Sequence, residues 1–123
     1  MERIFLILGG ISGFLAVAAG AFGGHALKQR LEPEMLAIFE VGARYHMFHA
    51  LALVGTAWAC TRWPGPWTNA AGWCFAGGTV LFSGSLYLLS LTGTRWLGTV
   101  TPLGGLAFMA GWLCLAVAAA WRG

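Results

Sequence analysis

The sequence predicts an all-α fold: an integral membrane bundle of four transmembrane helices, with an interfacial turn between the first and the second. Three observations carry this. Of the 123 residues, 59% are hydrophobic and 9% charged, with a mean hydropathy of +0.75 and no aspartate; soluble domains carry roughly a quarter charged residues. So few polar side chains cannot cover a water-facing surface. Four runs, residues 4–24, 42–62, 70–92 and 100–121, approach or exceed the roughly 20 residues that cross a hydrocarbon core. The breaks between them hold Pro, Gly, Trp and most of the charge. All 123 residues are expected to form a single membrane domain.

The first run has no charge, and Gly9, Gly13, Ala16, Gly20 and Gly24 recur every three or four residues along it. That stripe suits close helix approach in lipid. A cleaved signal peptide is the rival reading, since Arg3 precedes an apolar run containing Ala16-Val17-Ala18. Glu2 in the n-region, and a stripe that outlasts any cleavage point, argue against it. The stretch HALKQRLEP (25–33) then turns the chain. Pro33 suits a helix's first turn, and Glu34 favours its positive end. A long helix follows to about Arg62, its first two turns at the interface and its span over 42–62. Glu40 and Arg44 stand at the favourable i, i+4 spacing for an ion pair.

Trp63-Pro-Gly-Pro-Trp67 reads as a tight turn with interfacial tryptophans. In the third span, Thr79, Ser83, Tyr87 and Ser90 make a polar face, and Gly77 with Gly84 a packing face. Arg95 and Trp96 mark the next boundary. Thr99 or Thr101 is placed to cap the fourth span, with Pro102 in its first turn. Gly104, Ala107, Gly111 and Ala118 form its packing stripe, and Arg122 follows at the boundary. Four spans put both termini on one side; Arg3, Arg62 and Arg122 there balance Lys28, Arg30 and Arg95 opposite, and the charge of the amino terminus tips that side toward the cytoplasm.

The net charge of +3 comes from scattered residues that read as topology and headgroup anchors. No basic run with interleaved aromatics points to nucleic acid. The expected partners are the lipid bilayer and other membrane helices, from copies of this chain or a larger complex. Cys60, Cys74 and Cys114 lack metal-binding spacing and read as small buried hydrophobes.

Four segments, GAFGGHAL (20–27), YHMFHALAL (45–53), LFSGSLYLLSLTG (81–93) and TPLGGLAFMAGW (101–112), together resemble the domain-of-unknown-function family 423 of small membrane proteins. The resemblance spans nearly the whole chain. It implies an inner-membrane protein of about four helices and supplies no activity. Family members often carry Gln after the tyrosine matched by Tyr45, where this chain has His46. The resemblance therefore leaves His25 and His49 as the family-type histidines.

Polar chemistry is concentrated between residues 20 and 50. Nine of the chain's fourteen Lys, Arg, Glu and His residues fall there, including all three histidines. The candidate cluster is His25, Glu40, Arg44, Tyr45, His46, His49, Ser83 and Tyr87. Three readings are open for it. The histidines can be interhelical hydrogen-bond partners that fix the bundle. They can line a polar path for a proton or small solute, with Glu40, Arg44 and Tyr87. Or His25, His46 and His49 can bind a metal or haem, although no HExxH or paired Glu/His pattern supports it; no metal or cofactor is assigned. With no Asp and no His in the third span, a Ser-His-Asp arrangement at Ser83 is excluded, and no catalytic constellation appears. The leading expectation is a non-enzymatic protein acting by association, as a homo-oligomer or accessory subunit; the alternative is a small transporter or channel.

Overall fold

The computed structural model describes residues 1–121, and the expected boundary residue Arg122 lies outside the described residues. Helix α1 spans Glu2–Leu27. It is regular to Val17, widens to π-helical turns over Ala18–Gly23, and closes with one α-turn, Gly24–Leu27. Helix α2 spans Pro33–Arg62 and α3 spans Pro66–Thr92, each with proline in its first turn. A short 3-10 turn, Arg95–Thr99, leads into α4, Thr101–Trp121. Gly93 ends α3 in the left-handed conformation (φ 71°), where its missing Cβ avoids strain. The threonines expected to cap α4 bond elsewhere. Thr99 donates to the Trp96 carbonyl, and Thr101 shares a 2.6 Å hydrogen bond with Ser85.

Each helix packs antiparallel on its neighbour in sequence, while among the described residues α1 and α4 form no substantial contact. Glycines set the closest approaches. On α1, a Cβ at Gly9 would lie 2.9 Å from Val54, and one at Gly23 would lie 2.9 Å from Phe39. On α4, Gly104 receives Phe82, and a Cβ at Gly111 would lie 2.7 Å from the Phe75 ring. Gly72 and Gly78 of α3 receive Phe5 and Phe108. The expected packing face of α3 is thus corrected. Gly77 and Gly84 have open space where a Cβ would go, as does Gly20 of the α1 stripe. Small residues every four positions mark where helices can approach; the phenylalanines opposite decide where they do.

Three helices, α1, α3 and the one ending at Trp121, are long and apolar enough to cross a membrane, with mean hydropathies of 2.2, 1.5 and 2.0. Helix α2, expected to cross over 42–62, does not qualify by composition, because its histidines and charges dilute it. Its contacts lay it alongside α1: Gly9, Gly13 and Gly23 of α1 meet Val54, Ala50 and Phe39 in reverse order, so α2 runs back along the length of α1. The core lies where the helices converge, around Phe5, Leu53, Ala57, Ala71, Phe75 and Phe108.

This packing makes a paired prediction. Gly104→Ala forces α3 and α4 apart and costs about 1–3 kcal/mol, the usual range for overpacking. Gly77→Ala meets nothing, so stability is unchanged or slightly raised. Thermal unfolding in detergent, followed by helical circular dichroism, distinguishes the two; equal melting temperatures would contradict the assignment.

Candidate functional site

The expected cluster separates into parts. His49 is buried on α2 and points between α3 and α4. Its Nδ1–H donates to the Tyr45 carbonyl at 2.8 Å, and its Nε2 accepts from the Trp112 indole N–H at 3.1 Å. A carbonyl and an indole N–H have fixed roles, so the ring is neutral with its proton on Nδ1. It also stacks on Phe108, with ring centroids 3.5 Å apart and planes within 4°. Both nitrogens are spent within the chain.

One turn earlier, His46 faces α3. Its Nδ1 lies 2.9 Å from the Tyr87 hydroxyl. Beside it, the Ser83 hydroxyl donates to the Gly42 carbonyl at 2.7 Å. That bond is possible because Gly42 has no side chain between α2 and α3; a Cβ there would lie 3.2 Å from Leu86 and Tyr87. The aromatic ring of Tyr87 packs on Phe39, centroids 5.0 Å apart. Tyr45 is exposed and contributes its carbonyl to His49, while its ring lies against Phe82.

The other members lie apart. His25 is exposed at the end of α1, and Glu40 and Arg44 are exposed on the outer side of α2. The expected Glu40–Arg44 ion pair is not made. Among the described residues the ion pair is Arg95–Glu34, at 3.6 Å with both side chains about two-thirds exposed. It joins the first turn of α2 to the α3–α4 connection. Hydrated charges gain little from pairing, so neighbouring spacing along a helix does not enforce it. Among the described residues, no group of three or more His, Cys, Asp or Glu is placed to hold a metal.

Two partners escaped the sequence reading. Trp112 sits away from the interface in an apolar helix, and an indole N–H there needs an acceptor; that was the available signal. Ser85, paired with Thr101 across α3 and α4, carried no such signal.

A family profile described as "Protein of unknown function (DUF423)" matches residues 19–105. The chain is similar to the UPF0382 membrane protein YwdK of Bacillus subtilis, 45% identical over 95% of this chain and 96% of that protein. It is similar to the UPF0382 inner membrane protein YgdD of Escherichia coli K12, 44% identical over 96% and 90% respectively. A UPF0382 membrane protein of Staphylococcus epidermidis is 42% identical, covering 94% of each chain. No solved structure matches the chain.

If the Trp112–His49 bond holds α2 to α4, Trp112→Phe, which keeps an aromatic ring and removes the donor, lowers stability by roughly 0.6–1.7 kcal/mol. His49→Ala costs more, since it also removes the stack on Phe108 and leaves a void. Melting of the two variants in the same detergent checks the order.

Proposed function

The chain belongs to the DUF423 family of membrane proteins, and from that premise we propose that it acts by association in the cytoplasmic membrane, as a homo-oligomer or as an accessory subunit of a larger helical complex. The observation that carries this reading is the division between the inside and the outside of the bundle. Inside, the polar side chains of α2 and α3 are largely engaged with one another or with backbone carbonyls. Outside, α1 rests on α2 and leaves most of its surface free, with Phe14 and Phe22 exposed at 73% and 74%. Gly10 and Gly20, on the same helix, have nothing where a Cβ would lie. A helix with small residues and no neighbour on one side can receive another helix closely.

The transport reading needs His25, Glu40, Arg44, His49 and Tyr87 on one water-accessible path. His49 spends both ring nitrogens on α2 and α4, and Glu40, Arg44 and His25 point outward. Association asks nothing further of these residues.

Native mass spectrometry of the protein drawn gently from its own membranes tests the proposal. Multiples of the 13.0 kDa chain, or the chain with stoichiometric partner subunits, are the expected result. A bare single copy under conditions that preserve a known membrane oligomer would overturn it.

A further inference from the structure

The contact between α1 and α3 is confined to one end, where the Phe5 ring seats on Gly72 and meets Trp73 edge-on at 5.4 Å. Beyond it the two helices diverge. A side-facing groove of about 580 Å³ opens between them, with α2 as its floor. Its walls are apolar, including Leu8, Ile11 and Val80, and its polar members are His46, Tyr87, Ser12, Ser83 and Thr79. The volume falls within the roughly 300–1,000 Å³ of small-molecule sites.

The hydrogen-bonding state of those polar members defines what fits. Ser83 and Thr79 donate their hydroxyl protons to the carbonyls of Gly42 and Phe75. The Tyr87 hydroxyl and His46 Nδ1 share one hydrogen bond in which either can be the donor. Either direction leaves one proton of the pair unspent, on His46 Nε2 when the tyrosine donates and on the Tyr87 oxygen when the imidazole does; Nε2 has no partner among the described residues and is not sealed off. Ser12 Oγ is the one buried side-chain N or O atom without a hydrogen-bond partner among the described residues. The groove therefore presents two unspent donors, the Ser12 hydroxyl of α1 and one proton of the His46–Tyr87 pair, which a ligand with acceptors would satisfy. Ser12 lies about 15 Å from the nearer end of α1 and His46 about 20 Å from that of α2. A lipid acyl tail at that depth offers methylenes only, and would leave both donors unpaired in hydrocarbon at a cost.

We propose that this groove binds a neutral, membrane-dissolved molecule with an apolar body and carbonyl acceptors, of the quinone class, held by the unspent proton of the His46–Tyr87 pair and by Ser12 Oγ–H. The body lies along Leu8, Ile11 and Val80 and enters sideways from the bilayer. Binding alone is inferred, and it does not depend on the oligomeric state.

The test uses the full chain in phosphatidylcholine nanodiscs, with a short-chain alkyl benzoquinone as probe and the corresponding alkylbenzene, which lacks carbonyls, as control. Equilibrium dialysis is corrected against empty discs. The expected result is one saturable quinone per chain, bound about tenfold more tightly than the alkylbenzene, as one to two net hydrogen bonds allow. Gly84 lines the groove with open space at its Cβ, so Gly84→Leu fills it without displacing the core and abolishes saturable binding at unchanged melting. Ser12→Ala weakens the quinone about threefold to tenfold and leaves the alkylbenzene alone. His46→Gln, which keeps an N–H donor, retains more binding than His46→Leu. No saturable quinone above empty discs, equal affinity for the alkylbenzene, or full binding by a folded Gly84→Leu variant would each overturn the proposal.

Discussion

Helix α2 cannot be left to the lipid, and the bundle follows from that. It carries His46, His49, Glu40 and Arg44, and it is the long helix whose composition falls short of a membrane span. In hydrocarbon an unsatisfied polar group costs several kcal/mol. Its polar face must therefore be covered by helices that supply acceptors and donors. Helix α3 supplies the Tyr87 hydroxyl and a proton donor for the Gly42 carbonyl; α4 supplies the Trp112 indole; α1 covers the side of Ala50 and Val54. Glu40 and Arg44, by contrast, are not paired with each other and face outward from the first half of α2.

Close packing makes that covering possible. Hydrogen bonds between helices need backbones near each other, and glycines at Gly42, Gly72, Gly78, Gly104 and Gly111 allow it. Each receives a ring or a neighbouring backbone, so shape and polarity reinforce each other. The Ser83–Gly42 bond exists because the acceptor has no side chain in the way. At His49, stacking on Phe108 fixes the ring plane while two hydrogen bonds fix its rotation. Toward the far end, α1 and α3 lack a matching glycine–phenylalanine contact, and there they part.

Much of this was legible before any coordinates. Uncharged runs, prolines at 33, 66 and 102, and the Trp63–Trp67 turn marked helices and breaks to within a few residues. What the sequence could not resolve was azimuth, the direction each side chain faces once helices pack. Three histidines close in sequence imply a cluster, yet one helical turn sends His46 to α3 and His49 to α4, and His25 stays at the end of α1. Gly77 and Gly84 have the spacing of a packing face and lie on the wrong side of α3. The π-helical turns at Ala18–Gly23 contribute to this loss, because a wider turn shifts the face of everything after it. Partners distant in sequence, such as Trp112 for His49, needed the fold.

The central claim is that His49 is consumed by the bundle rather than held ready for chemistry, with both ring nitrogens bonded within the chain. The most direct measurement is solid-state nitrogen NMR of the histidine side chains, with the protein in lipid bilayers at neutral pH. The account requires the His49 proton on Nδ1, correlated with the Tyr45 carbonyl, and an unprotonated Nε2 that shows contact with the Trp112 indole proton. A proton on Nε2, or an imidazole without contact to Trp112, would contradict it and return His49 to the list of free functional groups.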